Sequence, residues 1–226
     1  MVTLKEVQEK RMLHGGGFGR DRGLPAVGTW IWLVRRIFGD MLRQQIEQIV
    51  SLTDEEFDFV MAHFQHRRFK KRQIVIHEED PVLYEYFVIS GLMKVSRVDG
   101  DGKEHIVQFA MEDWWVTDIQ AFHRRAKATL MVDCLEDTEA FAISLENKEK
   151  LCRELQKMER FFLFKTTEDY IALQKRILCF LSASAGDRYH SLITVYPGLL
   201  QRVPKSMIAS YLGVTRETLS RLGSHV

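Results

Sequence analysis

The pattern of apolar and polar positions changes character along the chain. From Met41 to Val50 apolar residues recur at helical spacing and predict a short amphipathic helix. The stretch Leu52-Thr53-Asp54-Glu55-Glu56-Phe57 reads as the start of a second helix. Thr53 is its N-cap, Glu56 closes a capping box, and Leu52 can staple against Phe57. Phe57, Val60, Met61 and Phe64 mark the buried stripe. Between Arg67 and Ser144 the signal turns to strands. Residues 74–77, 84–89, 93–98, 105–109 and 140–143 are short and β-branched or aromatic. Asp80-Pro81, Ser90-Gly91 and Asp99-Gly100-Asp101-Gly102 separate them, and the last predicts a hairpin because Asp-Gly tolerates positive φ. About seven or eight short strands at this spacing predict a barrel or a β-roll.

After Ser144 the period becomes helical again. Leu145 to about Leu181 has no glycine or proline and carries Leu151, Leu155, Met158, Phe162, Tyr170, Leu173, Ile177 and Phe180. Unbroken, such a helix would span about 50 Å. Phe161-Phe162-Leu163-Phe164 is too apolar to face water. Either the chain's own β domain or a second copy covers it, and a two-fold dimer seam is the expectation. Ser182-Ala183-Ser184-Ala185-Gly186 predicts a hinge.

The stretch from Pro204 to Leu222 predicts two short helices around Gly213. A helix-turn-helix needs a small residue where its helices cross, which Ala209 supplies, and a positive-φ residue four positions later, which Gly213 supplies. Ile208, Leu212, Val214, Leu219 and Leu222 fall where the two helices bury against each other. Thr215 caps the second helix, and Arg216, Glu217, Ser220 and Arg221 share its solvent side. Arg donates bidentately to guanine and Glu accepts from the cytosine amino group. Arg188, Arg202, Lys205, Arg216 and Arg221 outnumber Asp187 and Glu217 between Ser182 and Val226, which suits phosphate contacts.

Composition narrows the class. The chain has 226 residues, 32 Lys plus Arg against 31 Asp plus Glu, and a net charge of +1, so any nucleic-acid surface must be local. Cys134, Cys152 and Cys179 form no CxxC pair, which argues against a zinc ribbon, an iron–sulfur site or a disulfide scaffold and favours a reducing, cytoplasmic setting. Trp30 to Val34 is too short for a membrane span. Seven of the 14 glycines precede Asp40. The run Gly15-Gly16-Gly17-Phe18-Gly19 lacks the strand before and helix after that a phosphate loop needs, so 1–40 reads as a leader, with Met41 a candidate start. His63 and His66 are spaced to meet on one helix face but lack a third metal ligand. No nucleophile–base pair or metal quartet stands in a credible context, and the chain is not expected to be an enzyme.

With β-strands, a long helix and a helix-turn-helix in this order, the chain resembles the Crp/Fnr family of bacterial transcription regulators from about Met41 onward. The most specific piece is Val214-Thr215-Arg216-Glu217-Thr218-Leu219-Ser220-Arg221, similar to that family's recognition helix. Asp187-Arg188-Tyr189 and Arg202-Val203-Pro204 resemble the branch common in Bacteroidetes. The resemblance implies an α+β chain with an N-terminal double-stranded β-helix (jelly-roll) sensor domain over 41–145 like that of cyclic-nucleotide-binding proteins. A long dimerisation helix over 146–181 and a C-terminal winged helix-turn-helix over 182–226 would follow. It further implies a homodimer on a palindromic double-stranded operator, with half-sites roughly 34 Å apart. RNA polymerase is a further partner to expect. Lys205, Thr215, Arg216, Glu217, Ser220 and Arg221 are the expected DNA-binding residues, with Arg216, Glu217 and Arg221 reading bases.

The expected effector pocket is Thr117, Asp118, Lys127, Ala128 and Thr129. In the family a Gly-Glu pair and a later Arg hold cyclic AMP. Here Thr117 stands for the Gly, Asp118 for the Glu, and Ala128 with Lys127 beside it for the Arg. Thr adds a Cβ, Asp is one methylene shorter, and Lys cannot make the planar bidentate contact with a phosphate. The cassette is therefore expected to be degenerate, with cyclic AMP not its effector. Trp114 and Trp115 are expected to pack in the core or between domains. The alternative reading is a ligand-binding regulatory module that acts through protein–protein contacts.

Overall fold

The computed structural model describes residues 39–222. The glycine-rich leader, Trp30 to Val34 and the last four residues, 223–226, lie outside the described residues. A helix over 39–47, here α1, opens this region. Helix α2 (Asp54–Ala62) starts as the sequence dictates: Glu56 N–H donates to Thr53 Oγ1 at 3.2 Å and Thr53 N–H to Glu56 Oε2 at 2.8 Å. Leu52 and Phe57 are buried in one cluster.

Eight strands follow: β1 (Gln65–Phe69), β2 (Ile74–Ile76), β3 (Tyr84–Ser90), β4 (Met93–Val98), β5 (Glu104–Ala110), β6 (Trp115–Val116), β7 (Met131–Cys134) and β8 (Thr138–Ser144), with the short helix α3 (Ile119–Arg124) between β6 and β7. They form two four-stranded antiparallel sheets, ordered β1-β8-β3-β6 and β2-β7-β4-β5. This is the expected jelly-roll. The Asp99–Gly102 turn joins β4 to β5, with Gly102 at φ +79° and Asp99 Oδ1 accepting from the amides of Asp101 and Lys103.

The period-two alternation of a strand assigns its faces. Tyr86 and Val88 on β3 point between the sheets and join Met93, Val95, Val132 and Ala142. Phe87 and Ile89, one residue out of phase, point outward and pack with Leu42, Ile46, Met61 and Phe161 of the helices. Both faces of β3 are covered, which explains its apolar run from Tyr86 to Ile89. The second sheet also has an apolar outer face. Leu92, Ile106 and Phe109 pack there against Leu192, Leu199, Ile208 and Leu212.

The segment expected as one helix from Leu145 is two: α4 (Leu145–Glu154) and α5 (Gln156–Ser182). Leu155 adopts φ −134°, ψ 91°, ending one helix and starting the next. The break turns α4 so that Leu151 and the α5 residues Met158, Phe161 and Phe162 all reach the same core. At 27 residues α5 is about 40 Å long. Four shorter helices complete the region: α6 (Ala185–Val195), α7 (Leu199–Arg202), α8 (Lys205–Leu212) and α9 (Arg216–Leu222). Ser184 caps α6 in a capping box with Asp187. Among the described residues no strand follows β8, so a wing is not among them. No helix there is long and apolar enough to cross a membrane.

Candidate nucleic-acid interface and sensor pocket

Helices α8 and α9 are built around Gly213. It caps α8 in the left-handed region at φ 66°, and its amide donates to Ser210 O at 3.2 Å. Val214 N–H then closes onto Ala209 O at 3.0 Å. A Cβ at Gly213 would stand 3.2 Å from the Phe180 ring of α5, so steric room and backbone conformation both call for glycine there. Ile208, Ala209, Leu212 and Leu219 are buried, while Val214 and Leu222 are half-buried. Thr215 Oγ1 accepts from Thr218 N–H at 3.2 Å and so caps α9.

The structure leaves every expected DNA-binding residue exposed. Thr215, Arg216, Glu217, Ser220 and Arg221 are all exposed on α9 or at its start, and Lys205 is exposed at the start of α8. Hydrogen bonds from its own backbone amide and from the Thr215 hydroxyl hold the Glu217 carboxyl below the usual carboxylate range. It is thus an acceptor at neutral pH. Two other cations counted toward the phosphate surface are spent inside the molecule. Arg202 pairs with Glu112 and Glu136, and Arg188 donates to Ala183 O while lying over the Phe180 ring. The basic surface is therefore narrower than the sequence count implies.

The expected effector residues also converge, but on each other. Asp118 is 1% exposed and caps α3, accepting from Ala121 N–H at 3.1 Å. Its Oδ2 accepts three further bonds, from Thr129 N–H at 2.8 Å, Thr129 Oγ1 at 3.1 Å and Leu130 N–H at 3.1 Å. Thr117 Oγ1 donates to Tyr84 O at 3.1 Å. Ala128 is fully buried, and its amide donates to Asp80 O at 2.8 Å. Lys127 points outward and sits 3.6 Å from Glu79. The Asp118 carboxylate thus ties the start of α3 to residues 129 and 130, just ahead of β7.

Sequence reasoning missed several features. Lys148 of α4 and Glu85 of β3 form a buried pair at 2.6 Å, with the ammonium 4.5 Å from the Phe162 ring centroid. Nearby, burial and the Lys148 charge push the His123 pKa down. A cleft of ≈ 350 Å³ lies between α1, the loop at Asp113 and α5, where Gln45, Gln108, Trp114 and Lys165 line it. Trp114 stacks on Tyr196 at 5.2 Å, and Trp115 donates to Gln45 Oε1 and packs among Phe64, Phe87 and Phe162. Both are packing residues, as expected. His63 and His66 do not share a helix: His63 is the C-cap of α2 and meets Phe59 O, whereas His66 lies on β1 and pairs with Glu139. No group of three potential metal ligands occurs among the described residues.

Comparison with known proteins agrees with this architecture. Residues 66–155 match the cyclic nucleotide-binding domain family. No curated protein matches the chain. Among solved structures, FixK2 from Bradyrhizobium japonicum superposes with a TM-score of 0.61 at 19% identity, covering 72% of this chain and 83% of that one. The c-di-GMP responsive global regulator CLP of Xanthomonas campestris gives 0.60 at 17% identity, covering 76% and 91%. A CooA variant from Carboxydothermus hydrogenoformans gives 0.57 at 18%, covering 74% and 78%. At these identities the likeness is one of fold. Residues 66–155 carry the cyclic nucleotide-binding domain match, and the described chain shares its fold with FixK2 and CLP.

Proposed function

We propose that the chain is a sequence-specific DNA-binding transcription regulator that acts as a homodimer. The observation that carries this reading is the polar face of α9, exposed on a packed two-helix unit whose turn is set by Gly213. Arg216, Glu217 and Arg221 read base edges in the major groove, while Lys205, Thr215 and Ser220 hold the phosphate backbone. The sensor is 41–145, the helical connection 146–181 and the reader 182–226.

Helix α5 supports the dimer. Leu163, Tyr170 and Ile177 repeat every seven residues, Leu173 and Phe180 follow Tyr170 and Ile177 by three positions, and all five are exposed in the single chain. A heptad seam of this kind pairs two helices through knobs into holes. A two-fold seam along α5 would set two copies of α9 for a palindromic site.

The sensor is not a cyclic-nucleotide receptor in this reading. All four bonds accepted by Asp118 are internal, and no cation stands at Ala128 to pair with a cyclic phosphate. The test of the function is selection of duplexes from a random pool, followed by binding measurements across salt concentrations. Enrichment of a palindromic sequence bound far more tightly than the starting pool supports it. Uniform affinity for all duplexes removes it and leaves the regulatory module that works through protein contacts.

A further inference from the structure

Three turns of the β-roll meet at one guanidinium. Arg202 is the last residue of α7, directly ahead of the helix-turn-helix. Its Nη1 donates to Glu112 Oε2 at 2.9 Å and its Nη2 to Glu112 Oε1 at 3.0 Å. Its Nε donates to Glu136 Oε1 at 2.9 Å and its Nη2 to Glu136 Oε2 at 2.7 Å. Nη2 also reaches Gly91 O at 3.0 Å, while Glu112 accepts from Gly91 N–H at 3.0 Å. The loop after β5, the turn after β3 and the turn after β7 are thereby tied to the reader. Only an arginine has the planar fork for two bidentate carboxylates.

A second line of contacts runs along β5, the edge of its sheet. Ile106 N–H donates to Ser210 Oγ at 3.3 Å, and Ser210 Oγ donates to Glu104 O at 2.5 Å. The Ser210 hydroxyl stands where the next strand's backbone would be. Arg176 of α5 donates to the carbonyls of Val107, Ile106 and Tyr211 and lies 3.9 Å from the Tyr211 ring centroid. Helix α8 is therefore bonded to the sensor, while Arg216, Glu217, Ser220 and Arg221 stay exposed on α9.

We propose that Arg202 is an interdomain latch that fixes the reader on the sensor and so pre-organises it for DNA. The proposal rests on the DNA-reading function above and names how that site is controlled. A palindromic site demands a set distance and orientation between two recognition helices, and a loosely tethered reader would lose freedom on binding. The latch removes that freedom beforehand. It also favours its own closure, because a departing Arg202 leaves Glu112 and Glu136 near one another without their guanidinium.

The test compares wild type with Arg202→Met, which keeps most of the side-chain length but no charge. Hydrogen exchange followed by mass spectrometry reads the β5 segment containing the Ile106 amide. Affinity is measured on a duplex recovered by selection and on an unrelated duplex. Expected are exchange about tenfold faster at β5 and a loss of about tenfold or more on the selected duplex. Binding to the unrelated duplex should stay within about twofold. Unchanged protection at β5, or equal or tighter binding of the selected duplex by R202M, overturns the latch. Ser210→Ala is the second variant should R202M fail to fold, with the same direction expected at β5 and on the selected duplex. If wild type prefers no duplex, the DNA-reading proposal and the pre-organising role fail together, while the exchange comparison still decides whether Arg202 holds the reader in place.

Discussion

Asp118 and Thr129 are joined twice, through the Thr129 amide at 2.8 Å and its hydroxyl at 3.1 Å, both to the same carboxylate oxygen. That oxygen also takes the Leu130 amide. Asp118 therefore works as an internal staple between the start of α3 and the start of β7. Replacing it with Ala leaves buried amides unsatisfied and should lower stability by about 3 kcal/mol. Asn should be nearly as damaging, since both carboxylate oxygens accept from donors and in either orientation its NH2 replaces one of them. Denaturant titration of both variants checks this. A loss below about 0.5 kcal/mol for D118A would remove the staple.

The same geometry forecasts the response to cyclic AMP. In the proposed reading a ribose diol held by Asp118 displaces the Thr129 and Leu130 bonds, and nothing at Ala128 repays that cost. Calorimetric titration should show no saturable heat. Nor should the nucleotide raise the melting temperature, whereas a ligand at 100 times its dissociation constant would add about 2.7 kcal/mol.

Arg216 and Arg221 stand on the exposed side of α9. Each changed to Ala should cost about 1–3 kcal/mol on a selected duplex if it reads a base. Lys205→Ala should weaken all duplexes alike and reduce the salt slope by about one. Competition binding at two or more salt concentrations separates the two classes. An equal loss on every duplex for Arg216→Ala would make it a phosphate contact.

Along α5, Tyr170 and Ile177 are 65% and 51% exposed in the single chain. Ile177→Glu puts a like charge on both sides of the proposed two-fold seam and should weaken dimerisation at least about tenfold. Sedimentation at several protein concentrations reads the change directly. Secondary structure should persist, because Phe161 and Phe162, not Ile177, anchor α5 to the core.

Acid should loosen the latch. Arg202 holds the Glu136 carboxyl below its ordinary value of 4.5, chiefly by hydrogen bonding and against the opposing effect of burial. A carboxylate depressed on docking stabilises the docked form above its undocked pKa and loses that contribution as pH falls through the docked one. The melting difference between wild type and R202M should therefore be flat from about pH 8 to 6 and shrink below about 4.5. Shrinkage already above pH 6 would point to a histidine instead.

Much of this was readable from residue order. Thr53 and Glu56 announce the capping box, Asp99 to Gly102 the hairpin, and Gly213 the turn of the helix-turn-helix, because each depends on chemistry within a few residues. Strand β1 was not legible, since Gln65-His66-Arg67-Arg68 is polar. It exists because β8 offers a pairing edge, and its charges suit an outer strand. Leu155 carries no breaker signal; packing of Leu151 and Phe161 on one core bends the chain there. The engagement of Arg202 with Glu112 and Glu136 spans 90 and 66 positions, which no local pattern encodes. For the same reason the bonds of Asp118 to Thr129 and Leu130, 11 and 12 positions on, are not legible in its local sequence.

The covering of β5 by Ser210 and Arg176 has a consequence for the protein in pieces. A strand at the rim of a sheet offers unpaired amides and carbonyls to any other chain that can extend alongside it. In the intact chain side chains of the reader and of α5 occupy those groups, and Leu92, Ile106 and Phe109 lie beneath Ile208 and Leu212. Cut after Ser182, the β-roll would keep Arg176 but lose Ser210, freeing the Ile106 amide and the Glu104 carbonyl of that strand beside an oily patch. Self-association of that fragment would follow from its shape alone, and the reader doubles as the guard that keeps the sheet from recruiting its neighbours.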